Sequence, residues 1–193
     1  MLDFNSNDYK YRYNEVTQLC KEIGLNEDSI MIEVGSYNGV SACIFGSIVK
    51  TVYCVDIFNS SYEFDQVMEY NNSLKPDNIV KLVGRSDDMY KHFCNEYADF
   101  VYIDADHNYS NTMKDILHWT PKVKIGGHIG GHDYIRNETR DRESRMYSQG
   151  DVFEVIHDIF NDEVGNVNID WFVKKDIDNK YIQKICSKSI FQY

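Results

Sequence analysis

Asp104, Asp106, His107, His132 and Asp133 fall just beyond two short apolar runs. Carboxylates beside an imidazole can hold a divalent cation or do acid–base work. An imidazole with an ordinary pKa of about 6.5 removes protons at neutral pH. The competing explanation is polar capping of strand ends. His128, His132 and Asp133 make a weaker zinc set, because a strand sends neighbouring residues to opposite faces. Glu33 and Asp56 also lie at the ends of apolar runs, so four acids share this position: Glu33, Asp56, Asp104 and Asp133.

Between the first two of these acids runs Gly35-Ser36-Tyr37-Asn38-Gly39. Glycine tolerates positive φ and close approach of a ligand, and a helix starting behind such a turn offers free amide N–H groups. The spacing is Gly-x-x-x-Gly, and Tyr37 stands where a dinucleotide-binding turn has its middle glycine. That disfavours a pyrophosphate pressed onto the turn. Asp56, about twenty residues on, is placed to accept from both hydroxyls of a ribose. A plain strand-to-helix turn and a solvated acid are the structural alternatives.

The elements that must position these groups alternate. Helices are expected over Tyr9–Ile23, Gly39–Val49, Tyr62–Leu74, Met89–Tyr97, Asn111–Trp119 and Asp151–Phe160. Strands are expected over Ile30–Val34, Thr51–Asp56, Ile79–Val83, Phe100–Ile103 and His128–Gly131, with a turn at Pro76-Asp77-Asn78. Short strands alternating with longer helices predict an α/β fold with a parallel sheet covered on both faces. Right-handed crossovers put the C-terminal strand ends, and so the acids, on one edge. Two last strands, Asn168–Lys174 and Tyr181–Ser187, joined through Asp178-Asn179, predict an antiparallel hairpin that completes a doubly wound, seven-stranded sheet.

The 193 residues suit a single domain, 1–193, with a helical segment over 1–29. A net charge of −11 opposes binding to a phosphate backbone, so nucleic acid is not an expected partner. The five cysteines, Cys20, Cys43, Cys54, Cys94 and Cys186, are scattered and never form Cys-x-x-Cys. With no apolar run of membrane-spanning length, they predict a reducing, cytoplasmic setting and no membrane partner.

Glu33-Val-Gly-Ser-Tyr-Asn-Gly-Val-Ser resembles the first motif of class I methyltransferases that use S-adenosylmethionine (SAM), and its Gly-x-Tyr-x-Gly form is similar to catechol-type O-methyltransferases. Val83-Gly-Arg-Ser-Asp-Asp is similar to the adenine-holding segment of that group. Asp99-Phe-Val-Tyr-Ile-Asp-Ala-Asp-His-Asn-Tyr and Gly126-Gly-His-Ile-Gly-Gly-His-Asp-Tyr resemble a branch of small bacterial and viral methyltransferases. The resemblance spans roughly Met31 to Tyr134 and implies a Rossmann-like methyltransferase fold. It implies SAM contacts from Glu33, Gly35, Ser36, Tyr37, Gly39, Asp56 and Asp104, and adenine contacts from Ser86 and Asp87. It implies Mg²⁺ on Asp104 and Asp133, with Tyr134 where the usual third ligand stands. His107 falls on the family's basic lysine and is the expected general base, with His132 in reserve.

The implied acceptor is a small molecule, a sugar or an acidic compound, methylated on oxygen. Methylation of nitrogen or protein, or a SAM-fold subunit that binds without catalysing, are the rivals. Arg136, Arg140, Arg142 and Arg145 crowd residues 135–150, read as a lid over the acceptor or as a salt-bridged helix with Glu138, Asp141 and Glu143. Tyr9, Tyr11 and Tyr13 could cap the cofactor, pack on their own domain or form a homodimer contact.

Overall fold

The computed structural model describes residues 7–59, 61–71, 77–136 and 151–189. Chain order runs α1 (Asn7–Glu22), β1 (Ile30–Val34), α2 (Val40–Gly46), β2 (Thr51–Asp56), α3 (Ser61–Asn71), β3 (Ile79–Val83) and α4 (Ser86–Met89). Then follow β4 (Ala98–Ile103), α5 (Tyr109–Trp119), β5 (Val123–Gly131), α6 (Asp151–Phe160), β6 (Gly165–Val167), β7 (Asp170–Lys174) and α7 (Lys180–Ser189). Seven strands form one sheet in the order β3-β2-β1-β4-β5-β7-β6. The first five are parallel; β7 runs antiparallel to both β5 and β6.

Alternation along each strand feeds two cores. Ile32, Val34, Val101, Ile103 and Ile129 pack under α5, α6 and α7. Met31, Val52, Cys54, Phe100 and Tyr102 pack under α1, α2 and α3. The central strands β1, β2 and β4 read as largely apolar runs because both of their faces are covered.

The closing hairpin is present, but its strands differ from those expected. Its members are Gly165–Val167 and Asp170–Lys174, turning at Asn168, whose φ is 52°. The segment Tyr181–Ser187, expected as a strand, is helical. Ile182 and Ile185 are both buried at helical spacing, and the Asn179 side chain accepts from the amides of Tyr181 and Ile182 at 3.0 and 3.1 Å, capping the helix. The expected helix Met89–Tyr97 is also corrected. It is α4 plus a 3₁₀ turn over Tyr90–His92, after which Phe93 turns extended and lies against Tyr53 and Trp119. β5 begins five residues earlier than expected, at Val123.

Leu74 and Pro76 lie outside the described residues. So do Arg140, Arg142 and Arg145, together with Glu138, Asp141 and Glu143; Arg136 is described and exposed.

Candidate active site

The ends of β1, β2, β3 and β4 open onto a cleft of about 590 Å³, a size that suits a small-molecule ligand. Of the residues expected at the site, Gly35, Tyr37, Asp56, Ser86, Asp87, Asp104 and His107 line this cleft. Glu33, Ser36, Gly39, His132 and Asp133 do not line it and support it from behind.

The turn after β1 is fixed by neighbours on both sides. Gly35 donates to Val55 O at 2.8 Å, and Asp104 N donates to Val34 O at 2.8 Å. Gly35 has φ 90°, and a Cβ there would sit 2.1 Å from Asp104 O. Glycine is therefore required by the end of β4 as well as by the turn. Gly39 opens α2 with φ 80°, and a Cβ there would press on Phe64 and Met68 of α3. Asp56 closes the loop: its oxygens accept from Tyr37 N at 2.9 Å and Phe58 N at 2.8 Å. Gly35→Ala combines a positive φ with a backbone clash and is expected to cost at least about 2 kcal/mol. Thermal unfolding should show a clearly lowered Tm; an unchanged Tm would mean that this packing contributes nothing.

Glu33 is 1% exposed, on the side facing α1 and α2. Burial pushes its carboxyl up to about 8, and Oε2 has no hydrogen-bond partner. At neutral pH it is largely the neutral acid. Ser86 carries two bonds. Its hydroxyl donates to Asp115 Oδ1 and accepts from Trp119 Nε1 at 2.8 Å. Asp87 is held by Arg85 through two bonds of 3.0 Å.

Across the cleft, the loop after β4 carries the acid–base groups. Asp106 is committed to the loop, accepting from Asn108 N at 3.0 Å and Asn111 Nδ2 at 2.7 Å, while Asn108 caps α5. This leaves His107 free to turn inward. Its Nε2 lies 3.3 Å from Asp104 Oδ1 and 3.2 Å from Asp133 Oδ2. The other oxygen of Asp133 lies 3.3 Å from His132 Nδ1. One carboxylate thus joins both histidines. The hydrogen bond to Asp104, aided by the charge of Asp133, raises the pKa of His107. Burial opposes charge on His132, but the Asp133 bond outweighs it and the net shift is upward. Asp133 is lowered: burial works against it, and the two histidines and Arg12 prevail. Asp133 also has φ 61°, a left-handed conformation that only a fixed surrounding maintains. Burial pushes His128 down to about 4, and its ring packs on Phe172, away from this cluster.

One donor atom each from Asp104, His107 and Asp133 lies within 4.8 Å of the others, so these three could hold a cation. Tyr134 does not complete the set. Its ring packs on Phe153 at 4.8 Å, and burial raises its phenol pKa, keeping it neutral.

Two buried or half-buried charged side chains are not singled out by the sequence. Arg12 reaches from α1 to Asp170 through two 3.1 Å bonds, and to Tyr102 OH at 2.5 Å. Asp115 is 5% exposed and lines the cleft. Each falls on the buried stripe of its helix: Arg12 with Val16 and Leu19, Asp115 with Thr112, Ile116 and Trp119. A charged residue on an apolar stripe was the available signal.

The chain is similar to a putative caffeoyl-CoA O-methyltransferase from Staphylococcus aureus (TM-score 0.62, 16% identity, covering 84% of this chain and 80% of that one). It is also similar to a SAM-dependent methyltransferase from Aquifex aeolicus (TM-score 0.57, 18% identity, 82% and 87%). A putative methyltransferase from Bacillus halodurans shares TM-score 0.54 and 18% identity over 65% of this chain; of its own length this chain spans 53%, about half. At these low identities the structural likeness shows a shared fold. No curated protein matches the sequence. Among the described residues, no helix is long and apolar enough to cross a membrane. The methyltransferase-domain family matches residues 32–134, more than half of the chain, and the protein belongs to that family.

Proposed function

We propose that this protein transfers the methyl group of SAM to a hydroxyl oxygen of a small molecule, with His107 as the general base. The observation that carries this is the His107 imidazole, held by Asp104 and Asp133 through Nε2 at the rim of the cofactor cleft. With the proton on Nε2, Nδ1 is the basic nitrogen. The two carboxylates fix that tautomer and stabilise the imidazolium that forms, the logic of an acid-oriented histidine. The acceptor oxygen attacks the methyl carbon in line, the C–S electron pair returns to sulfur, and the hydroxyl proton passes to Nδ1. Alignment and proton removal are what the protein must supply.

SAM fits the cleft by position. Asp56 is available to the ribose from the end of β2, with Ser86 and Asp87 beyond it on the β3 side. The methyl end then lies toward β1 and β4, beside Asp104 and His107. We propose a neutral, hydroxyl-bearing acceptor such as a sugar, because the described rim is acidic and the net charge of −11 opposes polyphosphates.

A divalent cation would take Asp104, Asp133 and His107 Nε2, and would supply Lewis-acid polarisation of the acceptor oxygen. One imidazole with two carboxylates suits Mn²⁺ or Zn²⁺ better than Mg²⁺. That state excludes His107 as the base, since Nδ1 then carries the proton. Calorimetry with SAM, with and without Mg²⁺ or Mn²⁺, followed by an acceptor screen reading out S-adenosylhomocysteine, tests the whole reading. Failure to bind SAM would sink it.

The pH profile distinguishes the two states. His107 is raised above 6.5, so metal-free kcat/KM should climb with pH through a single-proton limb centred above that value. The same shift adds stability fully present below pH 6.5 and lost as pH rises through the folded-state pKa. Asp133→Asn should move the limb toward lower pH; a limb that stays in place would remove the carboxylate from the mechanism.

A further inference from the structure

α5 buries Thr112, Asp115, Ile116 and Trp119 on one face. A carboxylate on that face is costly unless its oxygens are matched by donors. Only one is. Oδ1 takes the Ser86 hydroxyl, whose own acceptor site is filled by Trp119 Nε1 at 2.8 Å. Among the described residues Asp115 forms no ion pair, and its second oxygen has no hydrogen-bond donor. Yet the residue is 5% exposed, and what remains open faces the cleft beside Gly84, Arg85 and Ser86. Burial pushes this carboxyl up to about 6, the sign of a charge with too few partners.

Sheet order says what part of a ligand would meet it. β4, β1, β2 and β3 follow one another along the edge. A nucleoside whose ribose is held by Asp56 at the end of β2 places its base over the end of β3. Val55, Ile57 and Ala105 line the cleft and give it apolar surface suited to a planar ring. Asp115 lines the same cleft, and Oδ2 is the carboxylate oxygen that Ser86 leaves open.

We propose that Asp115 is the residue that selects a 6-aminopurine, its free oxygen accepting a hydrogen from the exocyclic amino group of the cofactor's adenine. This rests on the methyltransferase reading above and assigns the base specificity of that site to a helix outside the adenine segment expected from sequence. A 6-oxopurine would set its own carbonyl oxygen against the carboxylate, and a buried polar group left unmatched discriminates strongly. Ser86 fixes which oxygen is spoken for, so an amide in place of the carboxylate would present its NH₂ to the base.

The test is equilibrium calorimetry of S-adenosylhomocysteine and S-inosylhomocysteine on the full chain and on Asp115→Asn. The wild type should prefer the adenosyl compound by about 100-fold or more. Asp115→Asn, with its NH₂ facing the base, should lose that preference or reverse it toward the inosyl compound. A purely structural role for Asp115 would weaken both ligands alike. Equal binding of the two compounds by the wild type overturns the proposal while leaving SAM binding intact, and this arm stands even if the variant fails to fold. Binding of neither compound by the wild type would overturn the methyltransferase reading, and the proposal with it.

Discussion

His107→Ala should lower kcat by roughly 10²- to 10⁴-fold, the range expected on removing a positioned general base, while affinity for S-adenosylhomocysteine changes little. The imidazole is fixed by Asp104 and Asp133, not by the turn or by Asp56, so its loss leaves the residues proposed to hold ribose and adenine undisturbed. The Ala variant also leaves two carboxylates facing each other without a shared donor, which could disturb the loop. His107→Gln is the decisive companion. Its amide can still donate to the carboxylates but cannot accept a proton at neutral pH. If orientation were all that His107 provides, the Gln variant would retain most of the activity. If His107 is the base, Gln and Ala should be similarly slow in single-turnover assays. A Gln variant near the wild-type rate would remove the assignment and promote His132, or a bound cation, in its place.

Arg12→Leu should destabilise the fold by about 3–5 kcal/mol, as expected when one member of a buried ionic cluster is removed. Arg12 contacts Asp170, which is 0% exposed, and Tyr102, also 0% exposed, whose hydroxyl donates to the same carboxylate at 2.5 Å. Glu15 lies 3.6 Å away and Ser41 Oγ accepts from Nε at 3.4 Å. Burial alone would lower the guanidinium pKa, but Tyr102 and Asp170 more than compensate and the net shift is upward. Without Arg12, Asp170 becomes a buried charge with one phenol for company. Asp170→Asn added to Arg12→Leu should recover part of the loss, since the amide can still accept from Tyr102 at no charge cost. Urea denaturation of the wild type, both single variants and the double variant gives the coupling. A loss below about 1 kcal/mol for Arg12→Leu would show the cluster to be energetically idle.

β1, β2 and β3 are bounded in the structure as the sequence predicts; β1 and β2 are covered on both faces and stand out as apolar runs, while β3, at the sheet edge, is marked by its β-branched residues and the glycine that follows it. The tail was harder. Gly165–Val167 has three residues, too few to show a period, and Tyr181–Ser187, expected as a strand, carries Ile182 and Ile185 at helical spacing. The site divides in the same way. Asp104, His107 and Asp133 were legible because a parallel sheet delivers every strand end to one edge, whatever the side-chain detail. Arg12 and Asp115 were not, because their chemistry depends on partners 158 and 29 residues away in sequence. The role of Gly35 changed most. The turn predicts glycine for its conformation and for ligand approach, whereas the space a side chain would need is filled by the backbone of Asp104 and Ala105.

The 158-residue span between Arg12 and Asp170 imposes an order on biosynthesis. α1 leaves the ribosome long before β7, the strand that carries its principal counter-charge. Until the closing hairpin has been made and added to β5, Arg12 and the Tyr102 hydroxyl lack their shared partner, and α1 is held by its apolar packing on α2 and the sheet alone. A nascent chain can assemble β1 to β5 and the glycine turn early, but the ionic cluster under α1 is completed only once β7 has been translated. A ribosome-stalled chain ending before Asp170 should therefore remain open to proteolysis near α1, and one extended past Lys174 should not.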